Sequence, residues 1–267
     1  MLIDSLRKQL KAAQNPDGSW GYLSGQKGRP EPTLLAAAAG LEPPIDWLAQ
    51  KSLGWSRFML PACLLAYPQA SKLRERYRRD ILQSEGQPVP NQPQMGHDTE
   101  LVGWAWVANT HSWVEPTAMA IISLKRLGHG SHPRVLEGLK LLKNRQCADG
   151  GWNVGNPKVF DAELPSYVHS TAWALMALGP EHPSPKAWAL IESLKPYPSL
   201  LNLSLTLLAQ VVHGVPTHDT YDALLAWHKA KGGFGDRLDE LSWALIAMQG
   251  HTLGTHPFDV RKVSHAP

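Results

Sequence analysis

Gln14-Asn15-Pro16-Asp17-Gly18-Ser19-Trp20, near the start of the chain, and Gln146-Cys147-Ala148-Asp149-Gly150-Gly151-Trp152, past its middle, share one pattern: QxxxGxW with aspartate before the glycine. Two copies at identical internal spacing mark a repeat. A decayed third copy is read at His228-Lys229-Ala230-Lys231-Gly232-Gly233-Phe234, which keeps the glycine and an aromatic but lacks the glutamine. Each copy follows a segment with apolar residues at helical spacing and precedes a second segment rich in small residues. These second segments are Glu31-Pro32-Thr33-Leu34-Leu35 with the alanines behind it, Ser170-Thr171-Ala172-Trp173-Ala174-Leu175, and Glu240-Leu241-Ser242-Trp243-Ala244-Leu245. The unit is helix, motif turn, helix. Asp-Gly supplies the turn that ends the first helix, glycine tolerating a positive φ there. The glutamine amide is expected to bond orphan backbone groups at a neighbouring helix end, with its alkyl stem on the tryptophan face, so that the motif clamps successive hairpins together.

Extended along the chain, the unit predicts outer helices near 2–14, 43–52, 70–85, 132–146, 184–194 and 219–231. Inner helices are predicted near 31–40, 55–67, 115–127, 169–178, 200–213 and 239–250. Pro43, Pro44, Pro133, Pro183, Pro185 and Pro216 stand at or just before these starts, where a missing N–H costs little. The fold class expected is all-α: a single (α/α)6 toroid of about six helical hairpins, forming one domain over residues 1–267.

Composition narrows the function classes. The 267 residues are 43% hydrophobic and can bury a substantial core. A formal net charge of +3, with 18% charged residues and no basic stripe interleaved with aromatics, argues against nucleic acid as a partner. Cys63 and Cys147 form no CxxC pair, so neither a disulfide framework nor a zinc ribbon is expected. No apolar run reads as a signal peptide or a membrane span, which makes cytoplasmic the default location. The basic run Lys72-Leu73-Arg74-Glu75-Arg76-Tyr77-Arg78-Arg79 reads as a solvated outer face or as a peripheral contact with an anionic membrane. With 11 tryptophans against 4 phenylalanines and 6 tyrosines, the aromatic content is biased to one ring type, which asks for a repeat or a site.

The QxxxGxW motifs, the alternating hairpins and segments such as Ser170–Leu178 resemble the QW repeats of squalene-hopene and oxidosqualene cyclases, whose toroid is shared with protein prenyltransferase β subunits. The resemblance covers most of the chain as repeat architecture, although those cyclases carry two such domains and this chain has room for one. It implies a hydrophobic, isoprenoid substrate and a DxDD-type acid motif at the mouth of an inner helix. The matching segment is Ser112-Trp113-Val114-Glu115-Pro116-Thr117-Ala118, in which Trp113 replaces the first aspartate and Pro116 the last. The family's protonating aspartate then corresponds to Glu115. Two roles stay open for this residue: a general acid, if burial raises its pKa, or a cap on exposed helix-start amides. Glu31-Pro32-Thr33 repeats the same trio and favours the cap.

Beside Glu115 the sequence concentrates polar and aromatic residues over 96–113. His111 is the expected hydrogen-bond partner of Glu115, and Asp98 or Glu100 the expected second carboxylate, within a connection long enough to form a lid or a mouth. The substrate-binding set expected around a central funnel is Trp55, Trp104, Trp106, Trp113, Tyr167, His169, Trp173 and Trp243, since aromatic faces stabilise cations. Packing in a core is the alternative for each. No metal or cofactor is expected: there is no DDxxD run, and the prenyltransferase zinc pattern fails because His169 reads one position off and neither cysteine is an evident partner. Three classes of function are open. They are a metal-free cyclase-like or isomerase-like enzyme, a non-catalytic hydrophobic-ligand carrier or partner subunit, and a carbohydrate-active enzyme drawing on Asp98, Glu100 and Asp161.

Overall fold

Prolines open helices here because an N–H is dispensable in a first turn; Pro30, Pro133 and Pro185 are the first residues of theirs. The computed structural model describes residues 2–92, 94–195 and 199–262, so Met1, Pro93, 196–198 and 263–267 of the expected domain lie outside the described residues. Among the described residues the helices are α1 (Leu2–Ala12), α2 (Pro30–Ala38), α3 (Ile45–Ala49), α4 (Leu60–Cys63), α5 (Ser71–Gln83), α6 (Val114–Arg126), α7 (Pro133–Asn144), α8 (Val168–Leu178), α9 (Pro185–Ser193), α10 (Leu200–His213), α11 (His218–Lys231) and α12 (Leu238–Leu253). A single small hairpin, β1 (Lys158–Val159) with β2 (Ala162–Glu163), is antiparallel. The fold is all-α, as the repeat predicted.

The two kinds of helix differ in what they bury. Odd-numbered helices bury a stripe, such as Leu6 and Leu10 of α1 or Val135, Gly138, Leu141 and Leu142 of α7. Even-numbered helices are buried almost all round, α8 over Ser170–Leu178 and α2 over Pro32–Ala38. A helix buried on every side must have protein on every side, so the even set forms an inner layer under the odd set. Inner helices touch in chain order, α2 to α4, α6, α8, α10 and α12, and α12 returns to α2. Their neighbour relations therefore close into a cycle.

One expected inner helix is broken. In place of 55–67 the chain makes a 3-10 turn at Gly54–Phe58, the single turn of α4, and a second 3-10 turn at Pro68–Ala70. Pro61 lacks an N–H and its ring clashes with the carbonyl four residues back, so a continuous helix cannot pass.

The motif turns work as clamps, by a route that differs from expectation. Trp20 Nε1 donates to Leu10 O at 2.7 Å and Trp152 Nε1 to Leu142 O at 2.6 Å, satisfying a carbonyl in the last turn of α1 and of α7. Thr33 and Thr171, each the fourth residue of an inner helix, accept the backbone N–H of the same tryptophans at 3.0 and 2.9 Å. The glutamines do not reach a neighbouring helix. Gln14 Nε2 donates to Gly18 O and Gln146 Nε2 to Gly150 O, at 2.8 and 2.7 Å, because the positive φ of Gly18 (81°) and Gly150 (95°) turns that carbonyl back.

Another complete clamp sits where the sequence showed none. Trp104 N donates to Thr117 Oγ1 at 2.9 Å and Trp104 Nε1 to Ile81 O at 2.7 Å, joining the end of α5 to the fourth residue of α6. Gly103 is required by close approach, since a Cβ there would lie 2.4 Å from Thr117 Oγ1. Trp104 is fully buried in this clamp, away from the substrate-binding set in which it was expected. At the decayed copy Phe234 is buried without an indole donor, and Leu241 holds the place of the threonine.

Candidate active site

The inner helices start in register. Their second residues are Glu31, Glu115, His169, Leu201 and Asp239 in α2, α6, α8, α10 and α12, and four residues on stand Leu35, Met119, Trp173, Leu205 and Trp243. Residues i and i+4 share a face. Most of these side chains line one cavity of about 330 Å³, completed by Met59 and by Trp55 and Trp106, whose rings meet edge to face at 5.7 Å. Its walls are tryptophan, methionine and leucine, and its polar groups are Glu31, Glu115 and His169. His169 is thus in register with the carboxylates, not one position off.

Phe258 packs behind two of the lining tryptophans. After α12 the chain turns at Gly254 (φ 65°), and Phe258 packs its ring on Trp173 and Trp243 at 5.9 and 5.5 Å. Arg126 holds this segment from α6, donating to Pro257 O at 3.0 Å and Asp259 O at 3.2 Å, while His256 Nε2 meets Leu208 O at 3.0 Å.

The two carboxylates have opposite environments. Glu115 Oε1 lies 3.1 Å from His169 Nε2 and accepts the Ser170 hydroxyl at 2.7 Å. Burial alone would raise its pKa, but these two hydrogen bonds and the imidazole charge bring it below the ordinary value, favouring the carboxylate. Those bonds run to α8 and not to the first amides of α6, whose N-cap residue Trp113 makes no side-chain cap. Glu31 accepts the Tyr22 hydroxyl. Burial, helped by the nearby Asp239 charge, raises its pKa against the lowering effect of that hydroxyl and of Arg237. Arg237 is held by Asp239 at 2.7 Å and sits over the Tyr22 ring.

Several expected residues are elsewhere. Asp98 uses its carboxylate to accept Glu100 N at 2.9 Å in a local turn, and Glu100 is exposed. His111 and Trp113 line a separate cavity under the 86–113 connection, so the partner of Glu115 is His169 and not His111. Tyr167 is exposed and stacks flat on His169, ring centroids 5.8 Å apart. Trp55, Trp106, His169, Trp173 and Trp243 do reach the central cavity. Glu31, Met59, Met119, Leu201 and Leu205 were missed there. The Glu-Pro-Thr trio shared by Glu31 and Glu115 is the available signal, and it favours a helix cap as much as it marks a site.

Among the described residues no three His, Cys, Asp or Glu side chains gather as a metal-holding group. Among them, too, no helix is long and apolar enough to cross a membrane. The basic run on α5 is not wholly a surface, because Arg74 is buried and donates to Leu64 O and Tyr67 O at 2.9 and 2.6 Å. Compared with protein-family models, with curated proteins and with solved structures, the chain matches none.

Proposed function

We propose that this chain is a metal-free acid–base enzyme of the terpene-cyclase type, its closed cycle of inner helices an (α/α)6 toroid whose central funnel holds a short isoprenoid. One observation carries the reading: two carboxylates in opposite environments share a cavity otherwise lined by tryptophan, methionine and leucine. Paired titratable groups pushed apart in pKa divide acid from base. Glu31, kept protonated more readily, is the acid, and Glu115 with His169 is the base, which reverses the role that the resemblance implies for Glu115.

At 330 Å³ the cavity lies at the low end of the roughly 300–1,000 Å³ range of ligand pockets, which suits a short ligand. A carboxylic acid protonates an epoxide oxygen more readily than an alkene. The proton of Glu31 therefore passes to an epoxide oxygen as its C–O bond breaks, and the carbon left positive is stabilised by the faces of Trp173, Trp243, Trp55 and Trp106. The Glu115–His169 pair then takes a proton from the neighbouring carbon, a double bond forms, and the net change is an isomerisation. Water at the open mouth returns the proton to Glu31.

Incubation with epoxides of geraniol and farnesol and with oxidosqualene, followed by mass spectrometry of the products, tests this. The expected result is isomerised product from the geraniol epoxide, abolished in Glu31→Gln and Glu115→Gln. Turnover surviving Glu31→Gln would remove that residue as the acid. A prenyl lipid that co-purifies without turnover would make the funnel a carrier's pocket.

A further inference from the structure

The connection from α5 to α6 builds a second cavity, of about 280 Å³, that has no part in the funnel. Its roof is pinned by Gly86 N to Gly103 O, Gln87 N to Thr110 O and Val89 N to Thr99 O at 3.1, 2.8 and 3.2 Å. Val154, Gly155 and Asn156 form part of the opposite wall. The other two complete clamps close with a short turn after the outer helix, whereas here a longer excursion replaces it.

The lining is polar in an unbalanced way. Its polar lining includes His97, His111, Arg145, Gln87, Gln92 and Asn156, and no aspartate or glutamate. Arg145 is 6% exposed and donates to Gly155 O at 2.6 Å and Asp98 O at 3.2 Å, but its Nε is buried without a partner. Among the described residues no carboxylate forms an ion pair with it. His97, also 6% exposed, leaves Nδ1 buried and unpartnered. The Asp98 carboxylate acts on Arg145 only through space, being turned to Glu100 N. A buried guanidinium without a paired carboxylate is costly, and unsatisfied buried polar groups beside a preformed hole suit a ligand's polar end. Trp113, Leu101 and Val89 supply the apolar side.

We propose that this cavity binds a small organic monocarboxylate, its anionic end against Arg145 and His97 and its apolar body against Trp113, Leu101 and Val89. At 280 Å³ the cavity lies just below the roughly 300–1,000 Å³ range of ligand pockets, which suits a ligand with a single ring such as benzoate. Burial, then the Arg145 charge, outweigh the opposing Asp98 charge and depress the His97 pKa to about 4, so the imidazole is a neutral hydrogen-bonding partner beside the Arg145 cation.

Calorimetry and thermal shift with benzoate, the uncharged isostere benzamide and inorganic phosphate test the site on the intact chain. Benzoate is expected to bind and raise Tm, with benzamide and phosphate at least tenfold weaker. Arg145→Gln should abolish binding. Because Arg145 also ties the connection down, Val89→Phe serves as the second variant: it fills the cavity, keeps both polar groups, and should abolish binding too. Glu115→Gln should leave benzoate affinity unchanged. No benzoate binding, equal binding of benzamide or phosphate, or binding that survives Val89→Phe would each overturn the proposal.

Discussion

Replacing Trp104 with phenylalanine isolates the clamp that the sequence did not display. The substitution removes Nε1, which donates to Ile81 O at 2.7 Å inside a fully buried site. A last-turn carbonyl of α5 is left unpaired there, at a cost of about 1–3 kcal/mol. The smaller ring leaves a void worth about 1 kcal/mol more and weakens the stack under the Arg134 guanidinium, which sits 4.6 Å from the indole centroid. The sum is roughly 2–4 kcal/mol, or a fall in Tm of roughly 5–15 °C for a chain of this size. Denaturant unfolding monitored by near-ultraviolet circular dichroism measures it, with Trp20→Phe and Trp152→Phe in parallel. All three should agree within about 1 kcal/mol, because each substitution removes the same buried bond from an indole N–H to a last-turn carbonyl. Trp106→Phe, two residues along, should cost less than about 1 kcal/mol, since that ring faces a cavity. A Trp104→Phe cost below about 0.5 kcal/mol, or one no larger than that of Trp106→Phe, would refute the equivalence of the clamps.

The two carboxylates should respond to pH with opposite signs. Glu31 has a raised pKa, so the folded chain keeps a proton that the unfolded chain has lost, and stability falls as pH rises above the ordinary glutamate value; Glu31→Gln should flatten that fall. Glu115 has a lowered pKa, so its stabilisation is present above the ordinary value and lost as pH falls through the folded value; Glu115→Gln should cost stability at neutral pH and converge with the wild type in acid, as read from unfolding curves between about pH 3 and about pH 8. Phe258→Ala should cost about 3–5 kcal/mol by denaturation, because the buried ring that packs on Trp173 and Trp243 is lost. Gly138→Ala should cost about 1–3 kcal/mol by denaturation, because the added Cβ would lie 2.9 Å from the Trp104 ring and 3.1 Å from Ile121.

What the sequence determined by itself was everything carried by local spacing. QxxxGxW placed Trp20 and Trp152, proline positions placed helix starts, and alternating amphipathic and all-apolar segments separated outer helices from inner ones. Those signals are local because a turn, a cap or a helical face is specified within a few residues. The third clamp escaped because 22 residues separate Ile81 from Trp104, and only folding brings that carbonyl and that indole together. For the same reason, crowding along the chain made His97–Trp113 look like one site with Glu115. The tertiary structure divides those residues between a buried clamp, an exposed turn, a second cavity and, for Trp106, the funnel, and brings His169 and Glu31 to the funnel from other helices. Glu31 and Glu115 share the trio Glu-Pro-Thr and a helix position, so their sequences cannot distinguish them. His169 and Ser170 beside one, and Tyr22 and Asp239 beside the other, set their protons apart, and those neighbours are a matter of packing alone.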